Sequence, residues 1–450
     1  MTRMTTSSTG RYGRLGPRWL PLALFVGIPV WWALGLSGVI APLLAIAAGI
    51  ALLVRGWTTA PRGFGLWLLF VAWVLIAILQ VPDLEHGVAG AYRLVHYLAG
   101  TVFFLYVFNA RRDSFPIETL VRILAGFWVV VVLGGVVGTL APSMTFRTPT
   151  EAVLPASLAN EDLIHELVSA STSSEVSFPG LGFHRPKAPF PYTNQWGAMF
   201  ALTLPFGVGA FALSRSALQR KAYGAVLVLS AIPLVFSLDR GAWLSICVGF
   251  AYALIRLLTF GKRLRRSSAV VVLVAAAGAV AVLILATPLR DIILVRLERG
   301  YGDESRWTLY SESVRLAKDS WLFGYGSPVE VPGLPSAGTH GHLWTILVSF
   351  GVVALFLFLS WFALVIWRTR TPSLTWTKSE QIAAFCCHVC VVVAIAQLPY
   401  YEWLPWGLPV VMMGAAAAWR EWLVGRPARD DAFASTTLVG RVPQVAVGRE

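Results

Sequence analysis

Charge is scarce in this chain: Asp, Glu, Lys and Arg make up only 13% of its 450 residues, while 56% are hydrophobic. A string of soluble domains would carry about 25% charge, so that class is excluded. Cysteine is scarce too, with four in all, which excludes a secreted disulfide scaffold. Low hydrophobicity, the mark of disorder, is missing outside the tails. Nucleotide-handling motifs are lacking: there is no G-x-x-x-x-G-K-[ST], no G-x-G-x-x-G between a strand and a helix, and no Asp-x-Asp. What the chain does have is 19 Trp, long apolar runs and a net charge of +13. In a soluble protein that charge would point to a polyanion; here it has to be located on a membrane protein.

A bilayer crossing needs about 20 largely apolar residues. Twelve runs qualify: 19–36, 38–54, 64–80, 90–108, 119–140, 193–213, 222–238, 242–259, 269–287, 343–367, 380–398 and 404–423. The first is read as a retained helix and not a cleaved signal, because it contains Trp31-Trp32 and eleven runs follow it. With the N-terminus inside, the inner loops, tails and helix ends hold 25 basic and 7 acidic residues, and the outer side 11 basic and 16 acidic. The +13 is therefore an average of +18 and −5, and its inner share is an orientation signal. No nucleic-acid partner is implied. The expected fold is an all-α polytopic membrane protein of about twelve transmembrane helices with both termini cytoplasmic.

The expected organisation is a cytoplasmic tail (1–18), helices 1–5 (19–140), an extracytoplasmic loop (141–192), helices 6–9 (193–287), a larger loop (288–342), helices 10–12 (343–424) and a disordered cytoplasmic tail (425–450). Loops this long are usually functional. The first contains a short amphipathic helix after Asn160-Glu161-Asp162, which also suits a helix lying on the membrane surface. In the second, Trp307, Tyr310, Val314, Ala317 and Trp321 recur every three to four residues and predict a helix with one apolar face.

No Asp or Glu lies near the centre of a run, which counts against an ion-coupled transporter. Cys386, Cys387, His388 and Cys390 lack the convergent spacing of a zinc site and read as small buried hydrophobes. Chemistry on the outer face has no ATP, so an activated donor has to arrive through the lipid. Arg240 is the sole basic residue in a short outer loop and precedes the eighth run. A guanidinium beside a helix N-terminus suits a diphosphate; a local pair with Asp239 or a snorkelling arginine is the plainer alternative. Arg306 opens the amphipathic helix of the larger loop, where a solvated helix-end charge is the plain reading. Arg185 and Lys187 precede the sixth run and suit either substrate or lipid headgroups. Arg93 and His96, three apart, share a helix face expected to line an aqueous cavity. His340 and His342 flank Gly341 at the mouth of the tenth run, and histidine is the natural general base for a sugar hydroxyl. A metal bound by the two histidines lacks a third ligand, and polar interfacial histidines are the plain alternative.

Together these segments resemble the O-antigen ligase and polymerase family of bacterial integral-membrane glycosyltransferases, with a GT-C-like fold. The resemblance spans about residues 180–360. It rests on Ser237-Leu238-Asp239-Arg240-Gly241-Ala242, on Ser305-Arg306-Trp307 followed by Trp321-Leu322-Phe323-Gly324-Tyr325-Gly326, and on His340 eleven residues before Gly351. Pro191-Tyr192-Thr193-Asn194 is similar to the family's Pro-Asn start of the sixth helix and adds Asn194 to the substrate-binding candidates. Asp239 stands where a small polar residue is usual, and Gly341 where Asn or Ser is common, so His342 competes with His340 as base. The resemblance implies an inverting transfer, without metal or cofactor, of a glycan from a polyprenyl (undecaprenyl) diphosphate to an acceptor hydroxyl outside the cytoplasmic (inner) membrane. His340, Arg240 and Arg306 would be catalytic, and the acceptor a glycan, glycolipid or cell-wall component. A polysaccharide polymerase, a protein O-glycosyltransferase and, from a different class, a polytopic solute transporter are the alternatives.

Overall fold

The computed structural model describes residues 17–56, 58–81, 84–155, 162–178, 181–260, 303–331, 334–371, 375–424 and 435–439. The expected ninth crossing, 269–287, lies outside them, as do the first 16 residues and most of the C-terminal tail. The first apolar run is broken: an α turn Trp19–Pro21 and a π-helical turn Leu22–Val26 precede helix α1, Ile28–Leu34. Pro29 near the start of α1 has no amide to continue the ladder backwards. Then come α2 (Ile40–Arg55), strand β1 (Thr58–Pro61), α3 (Phe64–Ile78), α4 (Leu84–Phe108) and α5 (Ile117–Leu140). The hairpin β2 (Ser173–Phe178) and β3 (Leu181–Pro186) leads into α6 (Thr193–Ala212), α7 (Ala217–Leu229), α8 (Ala231–Phe236) and α9 (Arg240–Phe260). The larger loop supplies α10 (Asp303–Asp319), β4 (Val329–Val331) and β5 (Leu334–Ala337). The chain then forms α11 (His342–Thr369), α12 (Lys378–Gln397), α13 (Gly407–Val424) and β6 (Ser435–Val439).

Among the described residues, six helical stretches are long and apolar enough to cross a membrane: 86–108, 117–140, 217–236, 240–257, 342–369 and 378–397. α2 and α3 are apolar but shorter. This makes an all-α polytopic membrane fold, and length and hydropathy identify six of the expected twelve crossings among the described residues. α13 is the hub, buried at every residue from Gly407 to Trp422. It packs on α4 and α12, with α6 set against α5 and α12, and α3 against α11. Its small residues let backbones approach closely, as packing without a hydrophobic drive requires. At one end of the bundle the buried Arg420 donates to the carbonyls of Ala110 (3.0 Å) and Phe115 (2.9 Å) and pairs with Glu421. Arg112 bridges Glu421 and Glu380, both at 2.6 Å, so the turn between α4 and α5 is tied to α12 and α13.

The sequence predicts one straight crossing at 343–367, and here the structure differs. Gly351 interrupts α11 at φ 79° and ψ −179°, a conformation essentially reserved for glycine. The His342 and Phe358 rings lie 5.4 Å apart, yet sixteen residues of straight helix would hold them about 24 Å apart. α11 is therefore a V with its apex at Gly351, and Tyr97 of α4 sits against the first arm, 5.8 Å from the His342 ring and 6.2 Å from Phe350. The break orphans backbone groups, and Trp321–Gly326 satisfies them. Val352 N donates to Trp321 O (2.8 Å), Tyr325 N to Val348 O (3.0 Å) and Gly326 N to Ser349 O (2.6 Å). Backbone groups freed by such a break and buried in the protein have to be paired in this way. Gly324, at φ 67°, allows the close approach: a Cβ there would meet Val348 O at 2.4 Å.

One further expectation needs correction: the tail beyond 425 is not wholly disordered, because β6 pairs antiparallel with β1. α10 forms where the spacing predicts a helix; its face buried against the protein is Leu309, Ser313 and Leu316, while Trp307 and Trp321 are exposed. The packing partners explain this: Leu316 meets Val348 and Tyr310 stacks on Trp344, so α10 runs alongside the first arm of α11.

Candidate active site

The site is built around the N-terminus of α11 and the loop between α12 and α13. Gly341, at φ 141°, comes so close to that loop that a Cβ would meet Pro399 O at 2.4 Å. The first amides of α11 have no partners within the helix and take loop carbonyls instead: His342 N donates to Tyr401 O (2.9 Å) and Leu343 N to Leu398 O (3.0 Å). The same loop brings in Glu402, which sequence reasoning did not single out. Its Oε1 is bonded to His342 Nδ1 and accepts from the amides of Trp403 (3.2 Å) and Leu404 (3.3 Å), while Oε2 accepts from the Thr345 hydroxyl. Burial pushes the Glu402 carboxyl up, but the His342 charge, the bonds from His342 and Thr345, and the nearby Arg93 outweigh it and hold it down at about 2. The other His342 nitrogen, Nε2, faces the Tyr97 hydroxyl at 3.4 Å, and its ring stacks on Trp403.

His342 is fully buried, whereas His340, two residues earlier, is half-buried with Nδ1 2.9 Å from the Thr339 hydroxyl. Thr345 ties the two together, since its hydroxyl also contacts the Gly338 carbonyl. The Glu402–His342–Thr345 cluster therefore fixes the turn from which His340 projects. Arg306 lies one turn before Tyr310, whose ring stacks on Trp344 at 4.8 Å, so the first turn of α10 lies at this end of α11; its side chain is outside the described residues.

Arg240 begins α9 on the far side of the same loop. A Cβ on Gly241 would meet the Tyr401 hydroxyl at 2.6 Å, so the Tyr401 side chain spans from α9 to the α11 turn. Asp239 caps α9: its Oδ1 accepts from Gly241 N (3.1 Å) and Ala242 N (3.4 Å). The amides expected to face an anion are therefore taken up by Asp239. Gly197 makes room for the carboxylate, since a Cβ there would lie 2.2 Å from Oδ2. Arg185 of β3 donates from Nε to Ser237 O (2.5 Å), which places it against the same turn. Thr193, beside Asn194, reaches the Arg185 carbonyl at 3.4 Å.

Three other candidates are placed differently. Lys187 is buried and pairs with Glu166 of the short helix Asp162–Val168 at 3.2 Å. His96 does not line an open cavity: it is 2% exposed, with its ring nitrogens on Tyr92 O (2.8 Å) and Gly38 O (3.3 Å). Arg93 donates to Ala89 O and acts on Glu402 through its charge. Among the described residues, no three metal-ligating side chains cluster.

Residues 225–359 match a family model described as O-Antigen ligase. No curated protein matches the chain. The matched stretch holds Asp239, Arg240, Arg306, His340, His342 and the V of α11, so the resemblance seen in the short motifs is borne out. It supports an O-antigen ligase- or polymerase-like membrane glycosyltransferase.

Proposed function

We propose that this protein transfers a glycan from a polyprenyl diphosphate, such as undecaprenyl diphosphate, to an acceptor hydroxyl on the extracytoplasmic side of a bacterial cytoplasmic membrane. The observation that carries this reading is the meeting of the Arg240 turn and the His340–His342 turn across one loop, with Arg185 against the first. The basic loops, among them Arg55, Arg62, Arg111, Arg112, Arg368, Arg370 and Lys378, lie at the opposite helix ends and favour a cytoplasmic placement there.

In the proposed reaction the acceptor oxygen attacks the anomeric carbon from the face opposite the diphosphate. The carbon–oxygen bond to the carrier breaks, and the diphosphate leaves with the electron pair. His340 takes the hydroxyl proton. Arg240 and Arg185, with Arg306 from α10, stabilise the charge that grows on the leaving group, so neither metal nor cofactor is required. Glu402 and His342 are positioning residues. Asn194 and Arg93 border the site, and Lys187 holds the first loop in place through Glu166. A second reading makes His342 the base, favoured by its bond to Glu402 and opposed by its burial.

The test is reconstitution in liposomes with a polyprenyl-diphosphate glycan and candidate acceptors, comparing wild type with Arg240→Ala, His340→Gln and His342→Gln. Loss of transfer in Arg240→Ala and His340→Gln, with full wild-type activity in EDTA, is expected. Normal transfer by both folded variants refutes the site, and loss in Arg240→Ala and His342→Gln with normal transfer by His340→Gln favours the second reading. The group that anchors the product distinguishes a ligase from a polymerase or a protein glycosyltransferase. Solute uptake that survives both substitutions would point to a transporter.

A further inference from the structure

Helix α10 has three faces, and among the described residues only one of them packs on the protein. Leu309, Ser313 and Leu316 are buried against the first arm of α11. At about 100° per residue, a second face carries Arg315, paired with Glu312 at 2.5 Å and with Asp319 at 3.3 Å. The third carries Trp307 (75% exposed) and Val314 (39%), with Lys318 at its edge, and Trp321 (59%) follows just past the helix end. An ordinary water-facing helix would put charge where these tryptophans are.

The stripe does not end in solvent. Trp321 O accepts from Val352 N, at the head of the second arm of α11. That arm exposes Val352 and, one turn on, Phe356 at 67%. It is the spanning part of α11, and an exposed Phe at that level faces lipid. The apolar surface therefore continues from the lipid face of α11 across Trp321 and up α10. We infer that Trp307, Val314 and Trp321 form a lipid-contacting surface, which seats α10 in the boundary between headgroups and acyl chains. Tryptophan suits that boundary, having an apolar body and one polar edge. The ion-paired face then points away from the acyl chains, and the large loop is a membrane-seated flap instead of a free soluble domain. This inference is independent of the glycosyl-transfer reading.

The test uses full-length protein in liposomes. Cys247, the exposed cysteine, is changed to Ser, and Cys386, Cys387 and Cys390 stay buried. Single cysteines at Trp307, Val314 and Trp321 carry an environment-sensitive fluorophore. Phe356→Cys serves as the lipid reference and Asp319→Cys as the water reference. All three stripe positions are exposed, so the packed face is left intact; circular dichroism and elution profile confirm folding for each variant. Labels on the stripe should be quenched by doxyl-labelled phospholipid as strongly as at 356, with loss of the iodide quenching seen at 319. Stripe labels that behave like 319 overturn the inference. So do labels that escape both quenchers, which would mean that a second copy or another protein surface covers the stripe.

Discussion

Gly351→Ala tests the V of α11 directly. The added Cβ would lie 2.2 Å from Leu322 O and 2.8 Å from Trp321 O, both backbone atoms that cannot swing aside. Holding a non-glycine residue in this conformation costs about 1–3 kcal/mol. Relieving the clash by withdrawing Trp321–Gly326 breaks at least one of the three clamp bonds and leaves buried backbone unpaired, at about another 1–3 kcal/mol. A loss of about 2–6 kcal/mol is expected, a large share of the stability of an ordinary domain. Gly65→Ala in α3 is the matched control, because a Cβ there meets nothing within 4 Å; it should be neutral or gain about 0.5–1 kcal/mol. Unfolding midpoints in mixed micelles give the stability readout. Glycan transfer gives the second, since an α11 forced straight carries His342 away from Glu402. Wild-type midpoint and wild-type transfer in Gly351→Ala would refute the fold-back.

Glu402→Gln should lower kcat for transfer by about 10²-fold with KM little changed, because it removes the charge that orients His342 but no predicted substrate contact. The Glu402 carboxyl is held below its ordinary 4.5, at about 2, so it adds stability above pH 4.5 that is lost as pH falls toward 2. The stability gap between wild type and Glu402→Gln should close as pH falls across that window. At the other end of the bundle, Arg420→Met leaves Glu421 and the α4–α5 carbonyls without their buried cation and should cost about 3–5 kcal/mol. Arg112→Met, at a side chain 35% exposed, should cost less in the same unfolding assay.

The helices were legible because lipid imposes long apolar runs, and the basic loops between them stood out for the same reason. The V of α11 was not, because hydropathy averages over Gly351 and a 343–367 run reads as one crossing whether straight or folded. His340, His342 and Arg240 were visible as polar residues at the mouths of apolar runs. Glu402 was hidden: it lies sixty residues from His342, in a short aromatic loop where a lone acid looks like solvent-facing decoration. Its only local signal is a carboxylate set among Tyr400, Tyr401 and Trp403. The packed face of α10 was not legible, because aromatic spacing marks an apolar stripe, and in a membrane protein that stripe has two possible neighbours, protein and lipid.

Synthesis runs from the N-terminus, so Trp321–Gly326 leaves the ribosome before Val348–Val352, the backbone that it completes. When the broken helix reaches the bilayer, its replacement donors and acceptor are already made. The groups freed at Gly351 need never be left buried and unpaired, where each would cost about 1–3 kcal/mol. Circular permutation that placed α11 ahead of this clamp would keep every native contact and still reverse that order, turning an insertion-competent chain into one that must wait for its own upstream loop.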